Sequence, residues 1–202
     1  AADLLNIAGN ASFSTGGLFS IDVGPAGTAL LGSLTVNGST VTVQEDSDTL
    51  LTGANVATGT FTLTSAGAIT DDASTSICIG TPVGALLFTA GGAITLNDNA
   101  GDVINVTGNA TFSNGGISTV TIGPAGVANF GSLTVGGTTV TVQEDSATTL
   151  AGANVASGVF TLTSAGAIDD AAGASIGNGT PVGSLIFTAA GAITLNDNAA
   201  DV

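Results

Sequence analysis

A parallel β-solenoid, an all-β rod of stacked coils, is the fold class this sequence predicts, and three observations predict it. The 202-residue chain repeats itself at an offset of 99 residues. Each long repeat contains shorter repeats of its own. Apolar residues alternate with polar ones in short runs, which are separated by clusters of Gly, Asn, Asp and Ser.

The long repeat needs no gap. FTLTSAGAI at 61–69 returns unchanged at 160–168, GPAG at 24–27 returns at 123–126, and VTVQEDS at 41–47 returns at 140–146. GAITLNDN at 92–99 matches 191–198, and about two-thirds of all positions are identical. We read residues 1–202 as one continuous solenoid segment, with repeat 1 at 1–99, repeat 2 at 100–198 and the start of a third repeat at 199–202. There AADV echoes the opening AADL.

The inner repeat sets the architecture. FTLTSAGAIT (61–70) resembles LLFTAGGAITL (86–96) and, more loosely, SFSTGGLFSI (12–21) and SLTVNGSTVTV (33–43). Anchoring on Phe13, Val36, Leu63, Phe88 and Phe112 divides one long repeat into four similar steps, the longest from Val36 to Leu63. The expectation is a parallel solenoid of about eight coils of ~25 residues, four to each long repeat. The rival is two tandem Ig-like β-sandwiches of about 100 residues each. A sandwich has no reason to repeat itself internally, and eight Phe are the only aromatics available to its core.

Residue chemistry supports strands joined by tight corners. Val, Ile, Thr and Phe fill the runs, and Gly, Asn and Asp fill the breaks, where positive φ or side-chain-to-backbone bonding is required. No window carries the i, i+3, i+4, i+7 pattern of an amphipathic helix. Stacked coils satisfy one another's backbone groups and bury a continuous apolar stripe.

Composition narrows the function. The chain has no Lys, Arg or His and a formal charge of −15, so it has no cations with which to neutralise nucleic-acid phosphates or grip an anionic membrane. With 44% apolar residues it should nevertheless fold. No run is long enough to span a membrane as a helix, so none is expected. Cys78 is the only cysteine and its counterpart is Gly177. The expectation is a small buried residue, an intermolecular disulfide being the sharper alternative.

The carboxylates recur about eight to ten residues after the coil anchors: Asp22, Glu45/Asp46, Asp71/Asp72 and Asp98, then Glu144/Asp145, Asp169/Asp170 and Asp197. The expectation is an acidic ladder along one corner. Neighbouring charges there would repel by roughly 0.9 kcal/mol in bulk water. A solvated edge is one reading and divalent cation binding the other. Carboxylates mixed with Asn at turns suit Ca²⁺, and the candidate ligands are Asp98, Asn99 and Asp102, with Asp197, Asn198 and Asp201 in the second repeat. No other cofactor is expected.

Catalysis is not expected. Ser/His/Asp and Cys/His arrangements require His, and polysaccharide-cleaving β-helices use Arg, Lys or His beside their acids. Asn-x-Ser/Thr occurs at Asn10, Asn37, Asn105, Asn109 and Asn178, where turn formation accounts for the Asn as readily as glycosylation does.

The runs FTLTSAGAI, LLFTAGGAITLND and INVTGNATFS resemble the tandem repeats of very large bacterial secreted and cell-surface proteins of the filamentous-haemagglutinin and adhesin type. That resemblance covers essentially the whole chain. It implies a right-handed parallel β-solenoid, a scaffold outside the cell or on its surface, with no site residues of its own. The expected function is a structural, non-enzymatic segment of an extracellular fibre or appendage that partners with itself, end to end or side by side. The alternative is a Ca²⁺-dependent adhesin that binds glycans or a neighbouring cell.

Overall fold

The computed structural model describes residues 3–78, 84–177 and 181–196. These residues are all-β: twenty-one strands, every pairing between them parallel, wound into a solenoid. Parallel pairing requires a crossover between partners, and here each crossover is the rest of a coil.

One stack runs through Leu4–Ser14, Thr28–Gly38, Thr49–Leu51, Ile69–Asp71, Ile94–Leu96, Thr119–Ile122, Thr139–Glu144, Val159–Ser164 and Ser184–Ala189. Nine strands in sequence make eight turns, as expected. A second stack runs through Ile21–Val23, Val41–Glu45, Thr60–Ser65, Ala85–Ala90, Val103–Ser113, Val127–Gly137, Thr148–Leu150 and Ile168–Asp170. Short strands such as Ala54–Ala57 and Ser76–Ile77 close a third side.

The turns are unequal. Leu34 pairs with Leu51, Val41 with Phe61, Phe61 with Leu86 and Ser76 with Val103, each turn longer than the one before. The last of these is more than half as long again as the first. Phe13 does lie over Val36, Leu63 over Phe88 and Phe88 over Phe112, as the anchors predicted. Val36 and Leu63 do not stack; the neighbour of Leu63 below is Val43. The short turn from Val43 to Leu63 is hidden inside the single apparent step that begins at Val36.

The consequence concerns the long repeat. Leu4–Ser14 belongs to the first stack, while its copy Val103–Ser113 belongs to the second. The same exchange holds for Val41–Glu45 and Thr139–Glu144, and for Thr60–Ser65 and Val159–Ser164. One long repeat therefore spans four and a half turns, and equivalent residues of the two copies face different sides.

Alternating residues point inward, as strand geometry dictates. Phe61, Leu63, Ile69, Leu86, Phe88, Ile94, Phe112 and Val120 are all fully enclosed. Phe61, Phe88, Phe112 and Phe130 form an edge-to-face column with centroids 5.1, 6.1 and 5.8 Å apart. The column crosses from the first repeat into the second without a break. Phe160 and Phe187 repeat the first step at 5.1 Å.

Cys78 is buried, as expected, at a φ of +73°, and its counterpart Gly177 holds +78°. The position wants a left-handed backbone, which glycine adopts freely and cysteine does not.

Candidate functional site

The carboxylates do not form a ladder. Asp22 lies beside Thr42, Glu45 beside Ser65, and Asp71 beside Leu51. Unequal turns shift each acid out of line with the next. In a chain without side-chain cations, several of these acids bind backbone N–H groups instead.

Glu45 and Asp46 show how. The short turn after Thr28–Gly38 lacks a strand to cover Ala29 and Leu31. The Leu31 N–H donates to Glu45 Oε1 at 3.0 Å, and the Ala29 N–H donates to Asp46 Oδ2 at 2.9 Å. Glu144 and Asp145 repeat this on Phe130 and Ala128 at 3.0 and 2.9 Å. Side chains thus replace a missing strand, since a buried N–H left unpaired is costly. VTVQEDS is the signature of a narrowed turn. Asn55 and Asn154, both fully buried, serve the same purpose, accepting from the N–H groups of Val36 and Val135.

One group of acids among the described residues does converge. Asp71, Asp98 and Asp102 each offer an oxygen within 4.8 Å of the others. Asp71 ends the strand Ile69–Asp71, and the pairing of Ile69 with Ile94 carries it to the corner after Ile94–Leu96. There the Asn97 N–H donates to Asp71 Oδ2 at 2.9 Å. Asp102 is fully buried and spans the corner: Oδ1 accepts from the Thr75 N–H at 3.0 Å and Oδ2 from the Asn99 N–H at 2.8 Å.

Of the expected ligands, Asp98 and Asp102 are brought together, and Asn99 turns its Nδ2 as a donor toward Asp98 Oδ1 at 2.6 Å. Asp71 joins these two acids from the turn below. The signal for Asp71 was present in the sequence, because aligning Ile69–Thr70 on Ile94–Thr95 brings Asp71 to the edge of NDNAGD. In the second repeat, Asp170 accepts from the Asn196 N–H at 3.2 Å. Asp197, Asn198 and Asp201 lie outside the described residues.

Asp71 is pushed up from 3.8 to about 7, first by burial and then, against the Asn97 N–H, by the charges of Asp102 and Asp98. Burial also raises Glu144, opposed by the Thr148 hydroxyl, the Phe130 N–H and the Ser146 hydroxyl. Both groups hold their protons to higher pH in the folded rod than in the unfolded chain. Their contribution is therefore full below the ordinary carboxylate range and is lost as pH rises through the folded values. In chelator, the melting temperature followed by circular dichroism should fall between pH 5 and pH 8. A rise over that interval would contradict these burials.

Elsewhere the surface carries little chemistry. A groove of about 300 Å³ beside Phe112, Gly115, Gly116 and Val155 contains no titratable side chain. Asn10 and Asn109, read above as turn residues, lie within strands and receive hydrogen bonds from Ser33 and Ser132 on the next coil, both at 2.9 Å. Asn178 lies outside the described residues. No helix among the described residues is long and apolar enough to cross a membrane.

Comparison with known families finds a partial match. A family described as repeats of unknown function (DUF5649) matches residues 38–107. The matched stretch runs from the end of Thr28–Gly38 into Val103–Ser113, and so takes in the buried Asn55, the Phe61–Phe88 contact and the whole acidic corner. No curated protein and no solved structure matches the chain.

Proposed function

We propose that this chain is a structural, non-enzymatic segment of an extracellular fibre or cell-surface appendage, in which repeated units extend a rod. What carries the reading is the junction between the two repeats. There Ala85–Ala90 pairs in parallel with Val103–Ser113, as it does with Thr60–Ser65 inside the repeat. The Phe column passes through it.

A unit whose strand pairing and apolar core run through its join can be repeated without a defect. Each further unit would add four and a half turns, or about 22 Å at roughly 4.8 Å per turn. Because the count is a half-integer, features carried once per unit alternate between sides. The glycine loops that expose Leu18 and Phe19, and then Ile117, are such features. An alternating pattern suits side-by-side contact with other copies in two directions.

Electron microscopy of proteins carrying two, four and six units tests this reading. Straight rods lengthening by about 22 Å per unit are expected. Compact particles that bind glycan only in Ca²⁺ would replace it with the adhesin reading.

A further inference from the structure

We propose that Asp71, Asp98 and Asp102, with the Asn97 amide, form a calcium site that clamps two successive turns at the boundary between the long repeats. Asp71 belongs to one turn, and Asn97 and Asp98 to the next. Asp102 is the third residue of the second repeat and reaches back to Thr75. An ion held by all of them would tie one unit to the next. The inference holds whether or not the rods assemble into fibres.

The ligand chemistry suits calcium. Three carboxylate oxygens no more than 4.8 Å apart can converge on one ion. Calcium–oxygen bonds are roughly 2.3–2.6 Å, whereas Mg²⁺ demands about 2.0–2.1 Å and strict octahedral geometry. The ligand set is oxygen only, which selects a hard cation. No Lys, Arg or His exists anywhere in the chain to balance the three acids.

Asn97 supplies the independent observation. It is fully buried at a φ of +61°, yet neither its Oδ1 nor its Nδ2 has a partner among the described residues. Buried amides are almost always paired, and leaving one unpaired is destabilising. Its side chain reaches toward Asp102. A methyl group on Gly126 would lie 2.3 Å from Asn97 Oδ1 and 2.7 Å from the Asp102 carbonyl oxygen, so these two oxygens stand no more than 5.0 Å apart. Asp71 Oδ1, on the other side, is likewise buried without a partner among the described residues. A cation among these oxygens satisfies them together. Gly126 leaves room for the arrangement, and any side chain there would fill it. Asp170, Asn196, Asp197 and Asp201 repeat the residue set in the second copy, and Asn196 also holds a positive φ, of 56°.

Calorimetric titration with CaCl₂, and thermal melting in CaCl₂, MgCl₂ or chelator, test the site. Calcium is expected to raise the melting temperature by about 3–8 °C over chelator, with a clearly smaller rise in Mg²⁺. Asp98→Asn is expected to keep the fold, because Asp98 is exposed and its carboxylate contacts only the Asn99 side chain. It should remove one bound ion per chain and cut the thermal rise. The proposal is overturned if calcium neither binds nor stabilises, or if Mg²⁺ stabilises equally. It is equally overturned if Asp98→Asn binds as many ions as the parent.

Discussion

Phe88→Ala is expected to cost about 3–5 kcal/mol, a large part of the roughly 5–15 kcal/mol that holds a typical domain together. Phe88 is fully buried and is a middle ring of the column, touching Phe61 at 5.1 Å and Phe112 at 6.1 Å. Truncation removes both edge-to-face contacts. It also leaves a cavity that a parallel stack closes poorly, because each strand is held in register above and below. The control is the adjacent residue. Leu87 faces outward and is 41% exposed, so Leu87→Ala should cost less than about 1 kcal/mol. Chemical denaturation followed by circular dichroism measures both. Equal losses would mean that the inward and outward faces have been assigned the wrong way round.

Gly131→Ala is the second large effect, and its cause is backbone rather than side chain. The strand Val103–Ser113 carries one extra residue between Val106 and Asn109, where its register with Val127–Gly137 shifts. That bulge turns the carbonyls of Thr107 and Gly108 onto Gly131. A methyl group there would sit 2.0 and 2.9 Å from the two oxygens. Gly32 occupies the same place in the first repeat, facing Ala8 and Gly9 at 2.2 and 2.9 Å. Neither neighbour can rotate away, as a side chain would, so the coils must separate. A loss of about 1–3 kcal/mol or more is expected. Gly9→Ala is the comparison, since a methyl group at Gly9 meets nothing within 4 Å. It should change the denaturation midpoint little. A tolerated Gly131→Ala would show that the bulge does not set the register.

Much of the architecture was legible because it rests on local rules. Alternation along FTLTSAGAI and LLFTAGGAITL marked the inward residues, and Phe61, Leu63, Phe88 and Ile94 are indeed enclosed. The acids were less legible. Their offsets from the anchors looked constant, but stacking depends on the length of every intervening turn. Two turns shorter than the anchors imply, from Ile21 to Val41 and from Val43 to Leu63, separate Asp22, Glu45 and Asp71 into different settings. Asp98 and Asp102 were named as ligands because they share one short corner. Asp71 was missed because it reaches that corner from the turn below, through a pairing that sequence spacing only suggests.

The sequence by itself determined the class of the molecule: a long internal repeat, strands in place of helices, an apolar stripe and an excess of acid with nothing to balance it. Each of these follows from residue type and periodicity, which act over a few positions. Only the tertiary structure decided that a repeat spans four and a half turns, so that its copies face different sides. The same stacking assigned Glu45 and Glu144 to backbone N–H groups, and Asp71, Asp98 and Asp102 to one another. Those outcomes depend on the summed lengths of successive turns. A small difference in the length of any one turn is invisible to a local pattern, yet it moves every later side chain around the rod.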